Sequence, residues 1–409
     1  MQKTPQANRL HIAVFGRRNV GKSSLINALT NQSLAVVSDV AGTTTDPVYK
    51  SMELLPIGPV VMIDTAGIDD TGSLGDLRVK KTMEVMRKTD LALLVIDNQS
   101  GFDEFEKDIY NKLEERETPV IIVINKTDIY GQELKDLMEE VEKETGSKPA
   151  LVSAAEKKGI DTLRGKIAEN APIDYEEPYI IGDLIEPYDT VVLVVPIDSA
   201  APKGRLILPQ VQTLRDILDH NGISAVVKET ELAEALDKFS EKPKMVVTDS
   251  QAFGEVDQIV PDDIMLTSFS VLFARYKGDL EIFIEGAKKL EQLTANDKVL
   301  IAESCTHRRT QDDIGTIKIP GWLREKVGEG LVIDHVAGRE YPDNIEEYDL
   351  IFHCGGCMLN RREILYRLKK AKSEGVPVIN YGMAIAQLHG ILDRALQPFP
   401  KIYSQWMEK

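Results

Sequence analysis

Apolar residues along this chain fall into short dense runs, separated by longer amphipathic segments. His11-Ile-Ala-Val-Phe15 reads as a strand, followed by a glycine-rich turn and a helix from Ser23 to Thr30. Val60–Ile63, Leu91–Ile96, Val120–Ile124 and Ala150–Val152 are further strand candidates. Runs that are apolar throughout, placed between helices, predict a parallel sheet covered on both faces. The acidic stretch Asn170-Ala-Pro-Ile-Asp-Tyr-Glu-Glu-Pro178 carries two prolines and reads as a linker.

A second α/β unit follows, with strands at Thr190–Pro196, Ser224–Val227 and Lys244–Thr248 and helices at Pro209–His220 and Thr230–Phe239. Leu266–Tyr276 continues apolar, and Leu280–Leu293 fits a helix with its charges outside. The third unit has strands at Val299–Ser304, Leu331–His335, Leu350–His353 and Val376–Tyr381, with helices over Arg361–Ser373 and Met383–Leu392. The expected fold class is α/β in three consecutive domains: a P-loop domain over 1–172, then two smaller units with mainly parallel sheets over 180–285 and 286–409. No internal sequence repeat is visible.

Gly16-Arg-Arg-Asn-Val-Gly21-Lys22-Ser23 has phosphate-loop spacing in the required context, after a strand and opening a helix. Its glycines let backbone N–H groups approach phosphate, and the helix N-terminus adds favourable potential. Lys22 is expected to reach the β- and γ-phosphates, and the Ser23 hydroxyl to hold Mg²⁺. Asn19, Val20 and Ser24 complete the expected cradle. Asn125-Lys126-Thr-Asp128 follows a strand. A carboxylate there accepts two hydrogen bonds from the guanine edge, a donor pair adenine lacks. Asp64 suits Mg²⁺ through water, and the Gly67 amide suits the γ-phosphate. Thr43 and Thr44 lie in the intervening loop, and Thr44 is expected to complete the Mg²⁺ shell. Ser153, Ala154 and Ala155 are placed to touch the guanine carbonyl through backbone amides. These elements in this order predict GTP binding, with Lys22, Asn19, Thr44, Asp64 and Gly67 serving hydrolysis.

Net charge is −17, against the broad basic footprint that nucleic acid requires. No apolar run approaches the roughly 18 residues of a membrane span. An N-terminus without an apolar core argues against a signal peptide. The expectation is a soluble, cytoplasmic protein with neither a nucleic-acid nor a membrane partner.

All 3 cysteines sit late in the chain: Cys305 after one predicted strand, and Cys354-Gly-Gly-Cys357 after another, with His307 and His353 beside them. Ligand sites in parallel α/β sheets collect beyond strand carboxyl ends. If those two strands are neighbours, three thiolates converge. They suit an iron–sulfur cluster with an exchangeable fourth ligand, or a structural Cys₃His zinc site. A third reading is inert buried cysteines. His353 or His307 is the candidate fourth ligand. His335 is a lesser candidate, and His11, His220 and His389 read as structural.

Over Leu10–Glu169 the motif set resembles the Era and tRNA-modification branch of the small GTPases. Ile68 stands where signalling members carry a water-positioning Gln. In the tRNA-modification branch an Asn inside the phosphate loop holds a K⁺ ion that supplies catalytic charge; Asn19 matches that position. The GTPase together with Cys305-Thr-His307 and His353-Cys354-Gly-Gly-Cys357 resembles the HydF family, the maturation GTPases of [FeFe]-hydrogenase. That resemblance implies a [4Fe–4S] cluster on Cys305, Cys354 and Cys357, a homodimer, and a scaffold or carrier role for a two-iron precursor. It also implies radical-SAM maturases and the hydrogenase apo-protein as partners. The alternative is a GTPase with a structural zinc site acting in ribosome or tRNA processing.

Overall fold

The computed structural model describes the chain outside residues 1–5, 31–46, 66–74, 130–132, 173–178, 198–203, 205, 305–312, 339–340, 343, 357–358 and 409. It divides into two compact units, Met1–Tyr175 and Glu176–Lys409.

The first unit is built on a six-stranded sheet. Its strands are β1 (Leu10–Phe15), β2 (Val48–Leu54), β3 (Gly58–Asp64), β4 (Leu91–Ile96), β5 (Val120–Ile124) and β6 (Ala150–Leu151), in the order β2-β3-β1-β4-β5-β6. All pairings are parallel except β2 with β3. Side chains alternate between two separate cores. Ile12, Val14, Leu91, Leu93 and Val95 enter one; Ala13, Phe15, Ala92, Leu94 and Ile96 enter the other. Burial on both faces is why these strands read as continuous apolar runs. β2 escapes that reading because it is an edge strand, half exposed and mixed in composition.

The second unit holds two further parallel-sheet domains. One sheet contains β7 (Thr190–Val194), β8 (Ile223–Val227), β9 (Met245–Thr248) and β10 (Met265–Ser268), in the order β10-β9-β7-β8. The other contains β11 (Lys298–Ala302), β12 (Val332–Val336), β13 (Leu350–His353) and β14 (Val378–Asn380), in the order β12-β11-β13-β14. In both, the first strand lies between the second and the third, so the same winding occurs twice without a sequence repeat. The core is continuous through both sheets, from Ile180 to Trp406. The apolar stretch after Leu266 divides at Ser268, whose side chain caps the helix Phe269–Lys277 by accepting from the Val271 amide at 3.3 Å.

In the second of these sheets, connections leave β11 toward one edge and β13 toward the other. The carboxyl ends of β11 and β13 therefore form the switch point of that sheet, the place where such folds bind ligands. Ala302 pairs with His353 at this end.

Candidate functional site

β1 delivers Gly16, and the helix Lys22–Thr30 opens at Lys22. Two glycines are required by space as well as by conformation. At Gly16 (φ +137°) an added Cβ would lie 2.1 Å from the Val95 carbonyl oxygen. At Gly21 (φ +93°) it would lie 2.3 Å from Asn125 Nδ2. Asn125 is buried and links three segments: Nδ2 donates to the Val20 carbonyl at 2.8 Å, and Oδ1 accepts from the Ala154 amide at 3.0 Å. One side chain thus ties the phosphate loop to the segments at Asn125 and Ala154.

Lys22 is buried, and its Nζ donates to the carbonyls of Gly16 and, at 2.9 Å, Arg17. The Ser23 hydroxyl donates to Asp64 Oδ2 at 2.7 Å. Adjacent hydroxyl and carboxylate oxygens are donors of the hard type Mg²⁺ takes. Asp128 is exposed. A Ser153 side-chain hydrogen bond, with its own backbone amide and the Lys158 charge, holds its carboxyl below the ordinary range. Asn19 is exposed at φ +65°, and Ser24 and Ala155 are exposed too. Thr43, Thr44 and Gly67 lie outside the described residues.

Two supports of this site carry no motif in the sequence. Asp97, just past β4, pairs with Lys126 Nζ at 2.6 Å. Burial pushes its pKa up, but the Lys126 hydrogen bond and charge and the Ser100 bonds outweigh this and hold it below the ordinary value. Its position at a strand's carboxyl end is the one signal the sequence offers. Arg17 grips Glu106 with two parallel bonds, Nε to Oε1 at 2.9 Å and Nη2 to Oε2 at 3.1 Å. The stretch Asp103–Glu117 is rich in charge, yet Glu106 within it is 0 % exposed, and burial raises its pKa. A helical period leaves its inward face unmarked when the inward residue is charged and paired.

At the β11–β13 switch point, the Cys354 amide donates to the Ala302 carbonyl at 3.0 Å. Cys354 Sγ accepts from the Ser304 amide at 3.1 Å and lies 3.0 Å from Ser304 Oγ. Cys305, His307 and Cys357 lie outside the described residues. Among the described residues no group of three metal-ligating side chains occurs. His353 is buried, with Nδ1 2.7 Å from the Cys354 carbonyl. A carbonyl only accepts, so Nδ1 carries the proton. Burial, with the Arg367 charge adding, pushes the His353 pKa down to about 4. The ring is therefore neutral, and its buried Nε2 has a lone pair and no hydrogen-bond partner among the described residues.

The sheet, the phosphate loop and the Asn125–Asp128 segment define a P-loop GTPase domain. Residues 11–126 match the family described as 50S ribosome-binding GTPase. Residues 180–278 match the hydrogen maturase F dimerization domain, and 281–398 the hydrogen maturase F tetramerization domain. The chain belongs to the hydrogen maturase F family, whose two matched domains are both described by self-association.

GTPase Der of Wolinella succinogenes is 38% identical over 167 residues, covering 39% of this chain and 35% of that protein. The tRNA modification GTPase MnmE of Moorella thermoacetica is 35% identical over 162 residues, covering 39% and 34%. The match spans about a third of the length of these relatives. Era in complex with MgGDPNP and 16S ribosomal RNA is 21% identical, covering 53% of this chain and 92% of that one. Its TM-score of 0.35 carries no argument for this chain. No described helix is long and apolar enough to cross a membrane.

Proposed function

We propose that this chain is a GTP-hydrolysing scaffold or carrier that assembles the two-iron subcluster precursor of [FeFe]-hydrogenase and passes it to the hydrogenase apo-protein. One observation carries the reading. Ser304, which precedes Cys305 in the sequence, touches Cys354 Sγ, and this supports the reading that the two halves of the cysteine set, some 50 residues apart, share one sheet end. Family membership supplies the rest of the context.

In this reading Cys305, Cys354 and Cys357 hold a [4Fe–4S] cluster. The donor chemistry fits: Cys354 is half-buried, and its Sγ accepts a hydrogen bond from the Ser304 amide. A cluster held by three thiolates offers one iron an exchangeable fourth ligand, which suits cargo that must be released. The neutral His353 Nε2, without a partner among the described residues, is in the protonation state a ligand needs, and His307 remains the other candidate. The domains we assign are 1–172 for GTP, 180–285 for dimerisation and 286–409 for the cluster, with radical-SAM maturases as donors.

At the nucleotide site Lys22 neutralises phosphate charge, Ser23, Asp64 and Thr44 supply Mg²⁺-shell oxygens, and Gly67 senses the γ-phosphate. Asp128 selects guanine, with Lys126 and Ser153–Ala155 around the base. Asn19 is assigned to K⁺. GTP turnover then times partner release, which requires contacts that differ between two states.

Anaerobic reconstitution tests the assignment. The wild type is expected to bind about four irons with matching sulfide. Cys305→Ala should lose them with GTP turnover intact. A colourless protein with one tightly held zinc would overturn the scaffold reading.

A further inference from the structure

Lys277 ends the helix Phe269–Lys277, inside the stretch matched to the dimerization domain, and is 4 % exposed. Its Nζ crosses into the next domain and donates to the carbonyls of Gly356 at 3.3 Å and Leu359 at 3.2 Å. Those carbonyls bracket the sequence positions of Cys357 and Met358. The Leu359 amide also donates to the Gly356 carbonyl, at 3.0 Å. Gly356 takes φ +62° there, and an added Cβ would meet Ile364 Cδ1 at 2.5 Å. A second tie runs the opposite way: Arg361 Nε donates to the Tyr276 carbonyl at 3.2 Å.

A buried ammonium is costly to keep unless hydrogen-bonded, because it has given up its hydration. Bonds from a charged donor are also stronger than neutral ones. An apolar side chain would fill this space without that cost, so the ammonium calls for a role beyond packing. We infer that Lys277 is a positioning residue: its ammonium holds the Gly356 and Leu359 carbonyls, and so fixes the backbone beside Cys354 from the neighbouring self-association domain. The inference rests on the thiolate-site reading above and adds to it a residue on another domain. Groups that orient ligands without touching metal typically change affinity by about 10–100-fold when removed.

The test uses the full chain, with K277M removing the ammonium and K277R restoring a buried cation. Metal-free protein is titrated anaerobically with Co²⁺, read by thiolate-to-metal charge-transfer absorption, and the alkylation rate of Cys354 by iodoacetamide is measured separately. K277M is expected to bind Co²⁺ about tenfold or more weakly and to alkylate Cys354 faster. K277R should stay near wild type, and GTP turnover should not change in either. Equal alkylation in K277M and wild type overturns the inference, as does equal loss in K277M and K277R. If the wild type takes up no metal, the thiolate-site reading fails on that result, and the alkylation comparison still decides the role of Lys277. Should K277M not fold, K277Q replaces it, keeping a donor without the charge, with the same direction expected.

Discussion

Arg17→Ala isolates a buried charge beneath the phosphate loop. Glu106 is 0 % exposed, and Arg17 is its bidentate partner. Stripping the partner from a buried ion costs about 3–5 kcal/mol. Arg17 itself is 38 % exposed, so water already screens part of the pair. A loss of about 2 kcal/mol is the expected outcome, or roughly 4–8 °C for a unit of this size. The sign with pH follows from Glu106, whose folded pKa lies above the ordinary 4.5. Its contribution to stability is complete below that value and falls as pH rises through the raised one. Removing Arg17 raises the folded value further, so the penalty should grow from pH 4 to pH 7. Arg17→Ala with Glu106→Gln should recover much of the loss, because no charge is then buried. Both tryptophans, Trp322 and Trp406, lie in the second unit, so their emission does not report on this one. Urea titration of the full chain with a fluorescent GDP analogue bound does report on it. Nucleotide affinity should fall too, since the Arg17 carbonyl is an acceptor for Lys22. A penalty independent of pH, or a double variant no better than Arg17→Ala, would refute the reasoning.

Two other outcomes bear on the same site. Gly21→Ala should abolish GTP binding, because its Cβ meets Asn125 Nδ2 at 2.3 Å and breaks the link between phosphate loop and base segment; calorimetric titration with GDP checks it. Asn19→Ala should remove any excess of GTP turnover in K⁺ over Na⁺, whereas equal rates of the wild type in both salts would withdraw the K⁺ assignment.

Much of the nucleotide site is legible in the order of residues. Phosphate-loop spacing is a backbone requirement, so Gly16 and Gly21 can be named from that order alone; in the fold neither position leaves room for a Cβ. The strands that carry them are apolar throughout because both faces are covered, a pattern composition displays directly. β2 escapes a reading by pattern because half its residues face solvent, and the helices Phe253–Ile259 and Pro400–Met407 escape it because short segments carry little period. Glu106 reads as a surface residue because its partner, Arg17, is 89 positions away.

Local order along the chain therefore decides which residue types carry chemistry and which strands present them. It decides neither who stands beside whom nor what is buried. That Ser304 meets Cys354, that Lys277 reaches Gly356 and Leu359, and that Asn125 ties three segments together depend on sheet order and on helices folding back across it. Those contacts join positions tens to more than a hundred residues apart, and only the packing of the whole core selects them.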